Sequence, residues 1–138
     1  MYKMGEPRIK IVAMPKDTNP SGNIFGGWIM AQMDIAGALA AKDLHVERVV
    51  TVAVNSMTFK EPVKVGDILC CYAKITKVGN SSIQTRVEVS AERMDEENGG
   101  VCVHVTSAII TYVSVDRDGN KKLLNPNPKI LERLELED

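Results

Sequence analysis

The chain has 138 residues, 44% of them hydrophobic and 25% charged, with a formal net charge of −1. This fits one domain, residues 1–138, with a modest core, and gives no electrostatic basis for binding nucleic acid or a membrane surface. No stretch approaches the ~20 apolar residues of a membrane span. The N-terminal MYKMGEPRIKIV lacks the apolar run and small-residue cleavage site of a signal peptide. Cys70, Cys71 and Cys102 are odd in number and two are adjacent. That argues against a disulfide framework and suits a reducing, cytoplasmic compartment. No CxxC or HxxxH spacing offers a metal site.

In chain order, Arg8 to Met14 alternates apolar and charged residues and predicts a short strand. The stretch Met14 to Asp43 organises the rest. It opens as a loop, because Asp17, Asn19, Pro20, Ser21, Gly22 and Asn23 are turn formers. It closes as a helix from Trp28 to Lys42, free of proline and rich in alanine, with Gly37 its one internal glycine. Gly26 and Gly27 fall at the junction, where a helix start leaves backbone N–H groups without partners.

At about 100° per residue, Ile29, Met33, Ala36 and Ala40 share one side of this helix, and Ala31, Ile35 and Ala38 the other. A helix apolar nearly all round is a buried helix. Asp34 is the anomaly. Its helical neighbours Met30, Ala31, Gly37 and Ala38 cannot pair with it through their side chains. A buried, unpaired carboxylate is costly, so it finds a partner elsewhere or has a task.

After a connector around His45, Val49 to Lys60 is β-branched and continuous, as expected of a central strand buried on both faces. Pro62 and Gly66-Asp67 mark a turn, and Ile68 to Val78 predicts a third strand. Gly79-Asn80 is a hairpin signal. Ser81 to Arg93 alternates cleanly, Ile83, Thr85, Val87, Val89 and Ala91 facing one way and Gln84, Arg86, Glu88, Ser90 and Glu92 the other. A turn over Asp95 to Gly100 leads to a fifth strand, Val101 to Val115; Asp116 to Asn120 is a further turn, and Ile130 to Leu136 a short final helix. The layout is α+β: an antiparallel sheet of about five strands curled around one long helix. A helix apolar on every side wants a second cover, which predicts a dimer with sheets edge to edge and each helix facing the partner's loops.

The segments NPSGNIFGGWIMAQMDIAGALAAKD and VNSMTFKEPVKVGDILCCYAKITKVGNSSI resemble the hot-dog fold acyl-CoA thioesterases, and most closely the YciA-like acyl-CoA thioester hydrolases of bacteria. The similarity spans residues 8 to 116, leaving 117–138 as a C-terminal extension. Asn19, Gly22, Gly26-Gly27 and Asp34 fall at the family's spacing. The resemblance implies hydrolysis of an acyl-CoA to a free acid and coenzyme A without a further cofactor. It also implies active sites at a homodimer interface, with the helix aspartate of one subunit facing the loop of the other, and assembly as a trimer of dimers.

On this reading Asp34 is general base for a water or direct nucleophile on the thioester carbonyl, and a nearby apolar wall would make it a better base near neutral pH. Gly26 and Gly27 are either a hinge or an oxyanion hole, with the Gly27 amide favoured by the family match. Asn19 orients the water or the carbonyl across the interface. Ser56 and Thr58, on one face of the expected central strand, are either tolerated polar residues or hydrogen-bond partners for water or pantetheine. Lys60, Lys64, Lys77, Arg86 and Arg93, with Ser81 and Ser82 at the hairpin, are candidates for the phosphates of coenzyme A. His45 and His104 lie away from this constellation and are expected to be structural, and the cysteines to be small core residues. No GxSxG supports a serine hydrolase. A hot-dog hydroxyacyl-thioester dehydratase would pair a histidine with the carboxylate, and the loop and helix contain none. A non-catalytic acyl-CoA sensor would lack the carboxylate, and Asp34 is present.

Overall fold

The computed structural model describes residues 5–97, 99–134 and 136. Strands β1 (Ile9–Val12), β2 (Val49–Asn55), β3 (Ile68–Val78), β4 (Ser82–Asp95) and β5 (Gly99–Ser114) form one antiparallel sheet in the order β1-β3-β4-β5-β2. Helix α1 (Gly26–Ala41) lies in the concavity of this sheet, and α2 (Pro128–Arg133) closes one end.

The periodicities explain the core. Ile29, Met33, Ala36 and Ala40 of α1 are buried against Leu69, Cys71 and Ala73 of β3, Val87, Val89 and Ala91 of β4, and Ala108, Ile110 and Tyr112 of β5. Truncating a buried side chain such as Met33 to alanine would cost about 2–5 kcal/mol. The alternation of β4 holds: Ile83, Thr85, Val87, Val89 and Ala91 are wholly buried on the inner face. A smaller cluster around Ala41, Leu44, Ile75 and Ile83 is covered by Leu124, Ile130, Leu131 and Leu134. Helix α2 begins two residues before its expected start, because the Asn127 side chain caps it by accepting from the Lys129 amide at 2.8 Å. Its last expected residues reach Glu135, outside the described residues.

Three features depart from the sequence expectation. Helix α1 starts at Gly26, so both glycines lie inside its first turn instead of ahead of it. The run Val49 to Lys60 is not a central strand: β2 ends at Asn55 and lies at the sheet edge. Ser56 then takes a left-handed conformation (φ 56°), which turns the chain out of the sheet, so Ser56 and Thr58 are loop residues and do not share a strand face. Third, α1 is buried on one side only. Met30, Ile35 (49% exposed) and Leu39 are open on its other side, as are Val50, Val52 (55%) and Val54 on β2.

Candidate active site

Asp34 sits at the margin of the buried face of α1, and its partners come from the sheet. The Thr51 hydroxyl donates to Asp34 Oδ1 at 2.7 Å. The Tyr112 hydroxyl lies 2.6 Å from the Asp34 carbonyl oxygen and 3.1 Å from Oδ1, and donates its one proton between them. Thr51 and Tyr112 are opposite each other in the β2–β5 ladder, so their side chains project from the same face. Burial, reinforced by the charge of Asp34, pushes the Tyr112 phenol far above its ordinary range, so it remains a protonated donor. Both hydrogen bonds fall on Oδ1 and leave Oδ2 without a partner among the described residues. Neither Thr51 nor Tyr112 is found by sequence reasoning. The available signal is a tyrosine within an apolar strand, since a buried phenol almost always finds an acceptor.

The loop before α1 is built around Asn19. Its Oδ1 accepts from the amides of Ser21 (2.9 Å) and Asn23 (3.2 Å), its own amide donates to the Asn23 carbonyl at 2.7 Å, and Gly22 supplies the positive φ of 89° that closes the turn. Asn19 Nδ2 has no partner among the described residues. Phe25 caps α1 with no side-chain acceptor, and the first turn holds no acidic residue. The leading amides, at Gly26 and Gly27, are left at the positive end of the helix. Asn19, Gly26, Phe59 and Lys60 line one groove of about 340 Å³.

The other candidates are dispersed. Ser56 lines a separate groove with Arg86 and Glu88. The backbone carbonyl of Thr58 accepts from Thr106 Oγ1 at 2.8 Å, which fastens the post-strand loop to β5. Lys77 is exposed on β3, and Ser81 and Ser82 lie at the β3–β4 hairpin. Arg93 is engaged within the chain, 2.7 Å from Asp67 Oδ2 and 3.0 Å from the Pro62 carbonyl, beside a groove of about 420 Å³ that contains no other candidate. Lys64 is exposed, and its backbone amide donates to the Asp67 carboxylate at 2.9 Å. His104 Nε2 pairs with Glu88 Oε2 at 2.8 Å across β4 and β5, and His45 ends the turn after α1 with φ 60°. Cys70 and Cys71 are buried, and burial pushes the Cys71 thiol up to about 12. Cys102 is exposed, contrary to the expectation of a core residue, because it lies on the outward face of β5 opposite Glu92.

A long helix wrapped by a curled five-stranded antiparallel sheet is the arrangement of a hot-dog fold. The Thioesterase superfamily model matches residues 21–97. The acyl-CoA thioester hydrolase YciA of Salmonella typhimurium is 48% identical over 120 residues, 87% of this chain and 90% of that protein. A hexameric hotdog fold thioesterase of Campylobacter jejuni superposes with a TM-score of 0.85 at 56% identity, over 96% of this chain and 97% of that one. HI0827, a hexameric broad specificity acyl-coenzyme A thioesterase, superposes with a TM-score of 0.87 at 45% identity, over 97% and 91%. The chain belongs to the thioesterase superfamily, and its fold is the hot-dog fold.

Proposed function

We infer that the chain catalyses hydrolysis of acyl-CoA thioesters, acyl-CoA plus water giving a free acid plus coenzyme A, at a site shared by two copies. The observation that carries the shared site is a length. Gly27 and Asp34 are seven residues apart on one continuous helix, about 10 Å along its axis at 1.5 Å per residue. An oxyanion donor and a base acting through one water work within about 3 Å of the reacting atoms. Within one chain, a single carbonyl would join the two groups only if substrate and water spanned that whole length in line. The Asn19–Gly27 end of one copy meeting Asp34 of another satisfies both. The open apolar side of α1 and the exposed edge strand β2 supply a surface for that meeting.

Asp34 then takes a proton from water through Oδ2, the oxygen that Thr51 and Tyr112 leave unoccupied. Hydroxide adds to the thioester carbonyl. The developing oxyanion is held by the Gly27 amide, with Gly26 leaving room and Asn19 Nδ2 orienting the water. Collapse breaks the C–S bond, and the departing thiolate recovers the proton from Asp34. Lys60 lines the groove with Asn19 and Gly26, which supports it as a contact for a phosphate of coenzyme A; Lys77, Ser81 and Ser82 would be further contacts. The reaction calls on no cofactor beyond the coenzyme A of substrate and product. The functional unit is a homodimer, assembled as a trimer of dimers, working in the cytoplasm. Among the described residues, no helix is long and apolar enough to cross a membrane.

The test is release of free thiol from acetyl-, butyryl- and palmitoyl-CoA by the wild type and by Asp34→Asn. Asparagine keeps the shape and removes basicity, so the variant should fold and lose nearly all turnover. Retention of more than about a tenth of the rate, against the 100- to 10,000-fold that general-base catalysis contributes, would remove Asp34 from the chemistry.

A further inference from the structure

Gly37 is an odd residue for the middle of α1, because glycine is a poor helix former and this one is not at a turn. The reason lies across the interface with the sheet. A Cβ built on Gly37 would collide with the Tyr112 hydroxyl and stand 3.0 Å from Thr85 Oγ1 and Tyr112 Cε2. The missing side chain is a notch, and the tip of Tyr112 fills it. From there the phenol reaches both the backbone carbonyl and the carboxylate of Asp34, three residues back on the same helix. The ring is among the largest fully buried side chains of the core, so it has no freedom to swing away. Gripping one residue at its backbone and at its side chain fixes the side-chain torsion between them.

We propose that Tyr112, seated in the notch left by Gly37, is a positioning residue that holds the Asp34 carboxylate in its working orientation. The proposal rests on the reading of Asp34 as the base. Thr51 holds Oδ1 from the sheet edge, and Tyr112 holds it from the core. Together they occupy Oδ1 and leave Oδ2 without a partner among the described residues. Catalysis by a carboxylate through one water depends on placement at the ångström level. A residue that only packs would contribute to stability; one that sets this orientation contributes to kcat.

The test compares wild type, Asp34→Asn, Tyr112→Phe, Gly37→Ala and the Gly37→Ala/Tyr112→Phe double variant, with butyryl-CoA as substrate and thermal melting measured alongside. Tyr112→Phe should lower kcat by about 10- to 100-fold, the range for loss of a hydrogen bond to a charged group. KM should stay within about twofold, because substrate binding is untouched. Gly37→Ala should lower kcat at least as far by displacing the phenol. In the Phe background the same alanine should cost less, because the hydroxyl it strikes is gone, giving a non-additive cycle. The proposal is overturned if Asp34→Asn is inactive while Tyr112→Phe or Gly37→Ala, folded, keeps the wild-type kcat. It is equally overturned if both substitutions add independently. Should Asp34→Asn itself remain active, the reading of the base fails instead, and that result is distinct from the other two.

Discussion

A backbone amide can hold an oxyanion only where the carbonyl can approach it, and on the proposed reading a side chain at Gly27 would stand in that approach. Its φ is not positive, and a Cβ added there meets no atom within 4 Å in the chain. Gly27→Ala should therefore fold normally, and it gains up to about 1 kcal/mol of helix propensity. Its kcat should nonetheless fall, by up to the 100- to 1,000-fold typical of losing an oxyanion donor, because the new methyl occupies the approach of the acyl carbonyl. Stopped-assay rates beside melting curves check both halves; a stable variant at wild-type rate would make Gly27 a hinge. A second residue sets behaviour in base. The Cys71 thiol is raised from 9.0 to about 12 by burial. The folded state holds that proton more tightly than the unfolded chain, so the contribution is complete below about pH 9 and is lost as pH rises toward 12. Melting temperature should decline across that window, and Cys71→Ala, less stable at neutral pH, should decline less steeply. The residues of the candidate site were partly legible in the sequence. Asp34 stands out as a charge on an apolar helix, and Asn19 and the glycines stand out as turn chemistry. Thr51 and Tyr112 do not, because their pairing with Asp34 spans 17 and 78 residues and local periodicity is blind to it.

Helix α1 and strand β2 show why the same pattern misplaced one element and placed another. The 3.6-residue pattern correctly gives the buried face of α1, and the two-residue pattern gives β4. The continuous apolar run of β2 reports that both faces are to be covered, but not by what. A central strand is covered by its own sheet's helices; β2, at the edge, leaves Val50, Val52 and Val54 exposed in the single chain. The same holds for Met30, Ile35 and Leu39 on α1. These side chains make one prediction at this scale. Ile35→Glu places a charge on a surface already open in the chain, so the fold should survive, with the α1–sheet core untouched. Association should fail, since an unpaired charge buried in an apolar contact costs several kcal/mol. Light scattering should report a smaller particle with native circular dichroism, and thiol release should fall with the loss of assembly. A variant that stays assembled and active would place the contact elsewhere.

At the scale of the whole molecule, a shared site makes a quantitative statement that a private site cannot. Let one chain carry Asp34→Ala and another Asn19→Ala, each inactive or nearly so as a homodimer. In a heterodimer, the Asp34→Ala chain still has its Asn19 loop, and the Asn19→Ala chain still has its Asp34. One of the two sites therefore joins two intact halves, and the other collects both lesions. Random pairing of equal amounts makes half the dimers mixed, so about a quarter of all sites are restored. If each chain built its own site, every site would carry one lesion and no mixture would recover. The mixing must reach the dimer contact, so the two chains should be co-expressed with different affinity tags and the doubly tagged fraction purified. Each particle of three dimers then carries both chains but still mixes homo- and heterodimers, so the expected activity is about a quarter of the wild type per chain. KM for the acyl-CoA should equal the wild-type value, because the restored site contains no substituted group. Doubly tagged particles of verified 1:1 composition with no turnover would show that Asn19 and Asp34 act within one chain. The 10 Å of helix between Gly27 and Asp34 would then have to be bridged by the substrate and water alone.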